Sequence, residues 1–108
     1  MPIDALIDYL NGHLSLTQSE KDILKDLFEV KRVKRRQFIL QAGDVSKHNT
    51  FVVEGCLKMY YVDEAAKEHN LQFATENWWI GDISSFYDET PSKLYIEAME
   101  PSVILQIS

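Results

Sequence analysis

The stretch from Gly81 to Ala98, GDISSFYDETPSKLYIEA, carries most of the side chains in this chain that could bind something. Gly81 permits a tight backbone approach, and Asp82, Ser84 and Ser85 place side-chain oxygens and backbone N–H donors around one short turn. Turns of this kind bind anions. Ser92 and Lys93 add a hydroxyl and a positive charge just after Pro91, which stiffens the approach to the next strand-like segment. Catalysis is a poorer fit. The two serines do not sit in a G-x-S-x-G elbow, no Gly-rich nucleotide loop is present, and Asp88 and Glu89 are adjacent carboxylates on a polar turn. His13, His48 and His69 fall in three different contexts with no His-x-His pair, and Cys56 has no cysteine partner. No catalytic residue and no metal site is therefore expected.

At 108 residues the chain is expected to form one domain, with 1–29 as a helical lead-in and 30–108 as the β part. A net charge of −6 argues against a main task of gripping nucleic-acid phosphates. A lone cysteine, no apolar run of membrane-spanning length and no signal-peptide pattern imply a cytoplasmic protein without a membrane role.

The elements that must hold the Gly81 turn can be read in order. Ile3, Leu6, Ile7, Leu10 and Leu14 share one helical stripe, which Asn11-Gly12 weakens or ends. Thr17 to Glu20, TQSE, is a capping box opening a second helix whose expected buried face is Ile23, Leu24, Leu27 and Phe28. Lys31 to Arg36, KRVKRR, reads as an exposed strand edge kept soluble and unpaired by its charge. From Phe38 the segments shorten and are rich in β-branched and aromatic residues. Phe38–Leu40, Thr50–Val53, Cys56–Val62, Leu71–Thr75, Trp78–Ile80, Leu94–Ala98 and Val103–Ile107 are expected strands separated by turn signals. Alternation along a strand predicts one of Trp78 and Trp79 in the core and the other at an edge or interface. Helices first and closely spaced strands after them indicate a mainly β fold of the sandwich or barrel kind.

The turns also follow a family pattern. Gln41-Ala42-Gly43-Asp44, then FVVEG (Phe51 to Gly55), then DEAAKE (Asp63 to Glu68), then GDISSF (Gly81 to Phe86) resemble, in order and spacing, the β-roll of the catabolite activator and fumarate-nitrate regulator superfamily. The resemblance implies an antiparallel β-roll (a jelly roll or double-stranded β-helix) preceded by N-terminal α-helices, with Gly81 opening a phosphate-binding cassette. It places a ligand pocket among Met59, Leu71, Gln72, Gly81, Asp82, Ser84, Ser85, Ser92 and Lys93. In cyclic-AMP-binding members an Arg followed by Ser or Thr grips the cyclic phosphate; here the ungapped count falls on Ser92 and Lys93. Lys93 is a point charge where a guanidinium would offer two parallel donors. The implied protein is the effector-sensing part of a transcription regulator that does not respond to cyclic AMP, with no cofactor and a small-molecule effector of unnamed identity. A ligand-free scaffold for dimerisation or protein interaction is the second reading. A homodimer in the full-length protein is implied, and DNA contact only through a C-terminal domain that would follow Ser108, so this chain reads as a fragment.

Overall fold

The computed structural model describes residues 1–108. Two helices lead, α1 (Pro2–Asn11) and α2 (Gln18–Leu27). Eight strands follow: β1 (Glu29–Val33), β2 (Phe38–Leu40), β3 (Asn49–Glu54), β4 (Leu57–Val62), β5 (Glu68–Ala74), β6 (Trp79–Ile80), β7 (Tyr95–Ala98) and β8 (Ser102–Ile107). A short third helix, α3 (Ile83–Asp88), lies between β6 and β7. All strand pairs are antiparallel and form two sheets of four, ordered β1-β8-β3-β6 and β2-β7-β4-β5. This is the mainly β, helix-led fold expected from the sequence. No helix is long and apolar enough to cross a membrane.

Period-two alternation decides what each strand buries. On β3 and β8, Val52 and Ile104 join the cluster between the sheets, while their neighbours Phe51 and Leu105 point the other way, into a second cluster under α1. Ile3, Leu6 and Ile7 of α1 close over them. Strand β8 is therefore covered on both faces, so SVILQI reads as a nearly unbroken buried run. Strand β1 pairs only with β8 and stands at the sheet edge, where Val33 alone is buried and Lys31 and Arg32 are exposed. Edge charges of this kind oppose pairing with a second chain.

Two expectations are corrected. The Thr17 box forms as read, with Thr17 Oγ1 accepting from the Glu20 N–H at 3.2 Å and Glu20 Oε1 from the Thr17 N–H at 3.0 Å. Yet α2 buries no residue: Leu24 and Phe28 are half-buried against the α1 cluster, whereas Ile23 and Leu27 are 56% and 53% exposed. Leu24 and Phe28 are four apart and share one stripe; Ile23 and Leu27 form the next stripe, rotated away from a contact only one side chain wide. Trp78 and Trp79 are both exposed, so neither is core. Strand β6 has only two residues, Trp78 precedes it, and the inward place is taken by Ile80, paired with Thr50. Trp79 instead meets Phe51 edge-on at 5.1 Å between ring centroids, on the helix side of the sheet.

The β3–β4 turn and the β4–β5 tip show how local chemistry sets the connections. Gly55 has φ of 105°, and a Cβ there would lie 2.1 Å from Ser102 Oγ. Ser102 Oγ accepts from the Cys56 N–H and donates to the Glu100 carbonyl, so it has little room to yield. At the other hairpin, Asp63 Oδ1 accepts from the Ala65 and Lys67 N–H groups, and Oδ2 meets His69 Nε2 at 2.8 Å. The His69 contact first, and then the Lys67 N–H, hold the Asp63 carboxyl below its ordinary value of 3.8.

Gly55→Ala is expected to destabilise the fold by about 2–4 kcal/mol in urea unfolding, from left-handed backbone strain plus overpacking. Because the folded-state value of Asp63 is depressed, its contribution to the hairpin is complete above pH 3.8 and is lost as pH falls further through the folded value. Amide exchange at Ala65 and Lys67 should accelerate in that window, and Asp63→Ala should remove the pH step.

Candidate functional site

The Gly81 turn leads into the short helix α3, and its polar side chains turn to one another. Asp82 is the N-cap of α3: its Oδ1 accepts from the Ser85 N–H at 3.1 Å. Its other oxygen accepts from Ser92 Oγ at 2.6 Å, ten residues further along. Ser92 Oγ accepts in turn from the Leu94 N–H at 3.0 Å. Ser85 Oγ donates to the Thr90 carbonyl at 2.6 Å and accepts from the Ser46 N–H at 2.9 Å. Ser85 and Ser92 are 2% and 4% exposed. The cassette is thus closed on itself, with both Asp82 oxygens engaged inside the chain.

A second set of bonds ties it to the β2–β3 loop. Gly43 N–H donates to the Ser92 carbonyl at 2.7 Å, Ser92 N–H donates to the Asp44 carbonyl at 2.8 Å, and Val45 bridges to Pro91. Gly43 takes φ of 100° to begin this crossing, which explains a glycine in the Gln41–Asp44 turn.

The sequence-expected site residues separate into three groups. Asp82, Ser85 and Ser92 form the internal network, and Ser84 is exposed with its Oγ 3.4 Å from Asp88 Oδ2. Gln72 and Gly81 meet in a groove of about 360 Å³ beside the cassette, whose other walls include Asn49, Trp79, Ile83 and Tyr87. Gln72 Nε2 donates to the Trp79 carbonyl at 3.0 Å, which leaves its Oε1 free to accept. The backbone runs close to Asn49 at Gly81: a Cβ there would come 3.1 Å from Asn49 Oδ1, so that side chain would have to give by a few tenths of an ångström. Met59, Leu71 and Lys93 do not line this groove. Met59 packs on the core between the sheets. Leu71 is the extra residue of a β-bulge, since Met59 pairs with Gln72 and Tyr60 with Asn70, and it is half-exposed. Lys93 is exposed and joins none of the chain's ion pairs.

Sequence reasoning missed Asn49, Ile83 and Tyr87 as groove walls. Tyr87 and Ile83 are large apolar side chains left on the solvent side of a six-residue helix, and GDISSFYD shows them at four-residue spacing. Chemically, the groove offers aromatic and aliphatic faces, amide oxygens and no charged side chain. Such walls suit a planar, neutral group better than a phosphate.

Residues 30–108 match the family described as "Cyclic nucleotide-binding domain". No curated protein matches the chain. Among solved structures, the Thermus thermophilus catabolite activator protein is similar at a TM-score of 0.75 and 18% identity, over 99% of this chain and 46% of that one. The N-terminal domain of a transcriptional regulator from Streptomyces coelicolor A3(2) gives 0.75 and 19%, over 87% and 66%. The regulatory subunit of a cAMP-independent protein kinase A from Trypanosoma cruzi, bound to guanosine, gives 0.76 and 16%, over 98% and 38%. The chain spans less than two thirds of each of these proteins. At these identities the likeness is one of fold.

Ser92→Ala, which strips one Asp82 oxygen and the Leu94 N–H of their partner, should cost about 1–3 kcal/mol in urea unfolding. Asp82→Asn should cost less, because the amide keeps an acceptor for Ser85 and can donate to Ser92 Oγ. A loss below about 0.5 kcal/mol for Ser92→Ala would show that the network does not hold the cassette.

Proposed function

Because the chain belongs to the cyclic nucleotide-binding domain family, we propose that it is the effector-sensing N-terminal part of a transcription regulator of the catabolite activator and fumarate-nitrate regulator type, responding to an effector other than cyclic AMP. The observation that carries this reading is the closure of the cassette on itself. Asp82 stands where the family resemblance places the acid that meets a sugar-phosphate, and its oxygens are already taken by the Ser85 N–H and, at 2.6 Å, by the Ser92 hydroxyl. Lys93, the cation at the second position of the Arg-Ser count, is exposed and precedes the strand. Charge-assisted hydrogen bonds contribute about 1.5–3 kcal/mol each, so the want of a bidentate Arg weakens phosphate binding by roughly two to four orders of magnitude.

The effector instead lies along the groove of Gln72, Gly81, Trp79 and Tyr87, as a planar group stacked on the aromatic walls. The guanosine-bound, cAMP-independent relative in fold supports the idea that this architecture can hold a ligand without a cyclic phosphate. Function is by binding and not by catalysis: the effector shifts the arrangement of the parts that follow only through its differential affinity for their two positions. Those parts are a dimerisation segment and a DNA-binding domain C-terminal to Ser108, in a cytoplasmic homodimer. A scaffold without a ligand is favoured by the same closed network, which is complete with nothing bound.

Calorimetric titration separates these readings. Cyclic AMP and cyclic GMP are expected to give no saturable heat at micromolar concentrations; micromolar binding of either would overturn the argument from Ser92 and Lys93. A nucleoside such as guanosine should bind, and Trp79→Ala should weaken it at least about tenfold, the loss of one aromatic contact of ~1.4 kcal/mol. If no nucleoside or other planar compound binds, the scaffold reading stands.

A further inference from the structure

Behind the cassette, between the sheets, lies a cavity of about 470 Å³ that none of the expected site residues lines. One wall is apolar, built by Leu40 of β2 and Ile96 of β7. The facing wall is polar, built by Thr50 of β3 and Gln106 of β8, which pair across the strands and take the same inward positions as Val52 and Ile104. The β2–β3 loop from Gly43 to His48 completes the lining, with Asp44 and Lys47 as its charged members.

Gln106 is 4% exposed. Its Nε2 donates to Thr50 Oγ1 at 3.1 Å, but its Oε1 has no partner, the one buried side-chain oxygen or nitrogen in the chain left in that state. An unmatched buried carbonyl costs about 1–3 kcal/mol, so an amide buried beside this cavity calls for a partner. Turning the amide over exchanges the free end without removing it. A hydroxyl group meets either end, because it both donates and accepts. A single water, occupying about 30 Å³, would answer the oxygen but leave the apolar wall uncovered.

We propose that this cavity is a ligand site separate from the cassette groove, taking a small hydroxyl-bearing organic molecule. The hydroxyl bonds to the Gln106 amide and the apolar body lies on Leu40 and Ile96. The lining loop is the one that bonds the cassette through Gly43, Asp44 and Ser46, so an occupant would press on the back of the Asp82–Ser92 network.

The test uses the 108-residue chain, isotope-labelled, titrated by NMR with benzyl alcohol and with toluene, two probes alike in body and different in the hydroxyl. Benzyl alcohol is expected to shift the Gln106 side-chain amide and the Leu40 and Ile96 methyls along a saturable curve, with toluene at least about tenfold weaker. Gln106→Leu should erase the preference. Equal binding of the two probes, no saturable shift, or shifts confined to Trp79 and Gly81 would overturn the proposal. The wild-type comparison decides the matter even if Gln106→Leu fails to fold, and its reporters, Gln106, Leu40 and Ile96, line the cavity and not the groove, so its outcome is independent of the calorimetric nucleoside titration.

Discussion

A single carboxylate holds the cassette in shape. Asp82 caps the start of α3 with one oxygen, which accepts from the Ser85 N–H, and accepts the Ser92 hydroxyl with the other, which draws the segment from 82 to 92 into a closed loop. Everything nearby follows from that closure. Ser92 is fixed where its backbone can exchange bonds with Gly43 and Asp44, and Ser85 is fixed where its hydroxyl can receive the Ser46 N–H. A partly buried carboxylate with charge-assisted bonds on both oxygens is strongly held, and a ligand phosphate would have to displace those bonds to use it.

The sheets supply the rigid frame for this loop. Strand β8, covered by α1 on one side and by the opposite sheet on the other, joins β1 to β3, and β3 carries β6 directly into Gly81. The cassette therefore leaves from one sheet and returns to the other at β7, spanning the open end between them. The groove of Gln72 and Trp79 is lined by the cassette itself, whereas the Gln106 cavity is lined by both sheets and the β2–β3 loop.

Much of this was legible in residue types. Gly43 and Gly55 mark positive-φ turns, Thr17 and Glu20 mark a cap, and every expected strand exists within a few residues of its expected bounds. These are local signals, fixed by a few neighbouring side chains. The parts that were not legible depend on distant partners. Whether Ile23 and Leu27 are buried depends on how wide a face α1 leaves for α2, which no periodicity within α2 records. Trp79 is exposed because Ile80 takes the inward place opposite Thr50, some thirty residues earlier in the chain. The partnership of Asp82 with Ser92 was likewise hidden, since a Gly-Asp turn with two serines looks the same whether it faces a ligand or itself.

The exchange of backbone bonds between Gly43–Asp44 and Ser92 has a consequence for how such a chain can change over generations. It is a register of the kind that strands keep, made between two loops. An insertion within Gly43–Val45 or between Pro91 and Ser92 would break the exchange, whereas one between these residues and the neighbouring elements leaves it in place. The two loops are therefore held in step at these five residues and free to differ in length elsewhere.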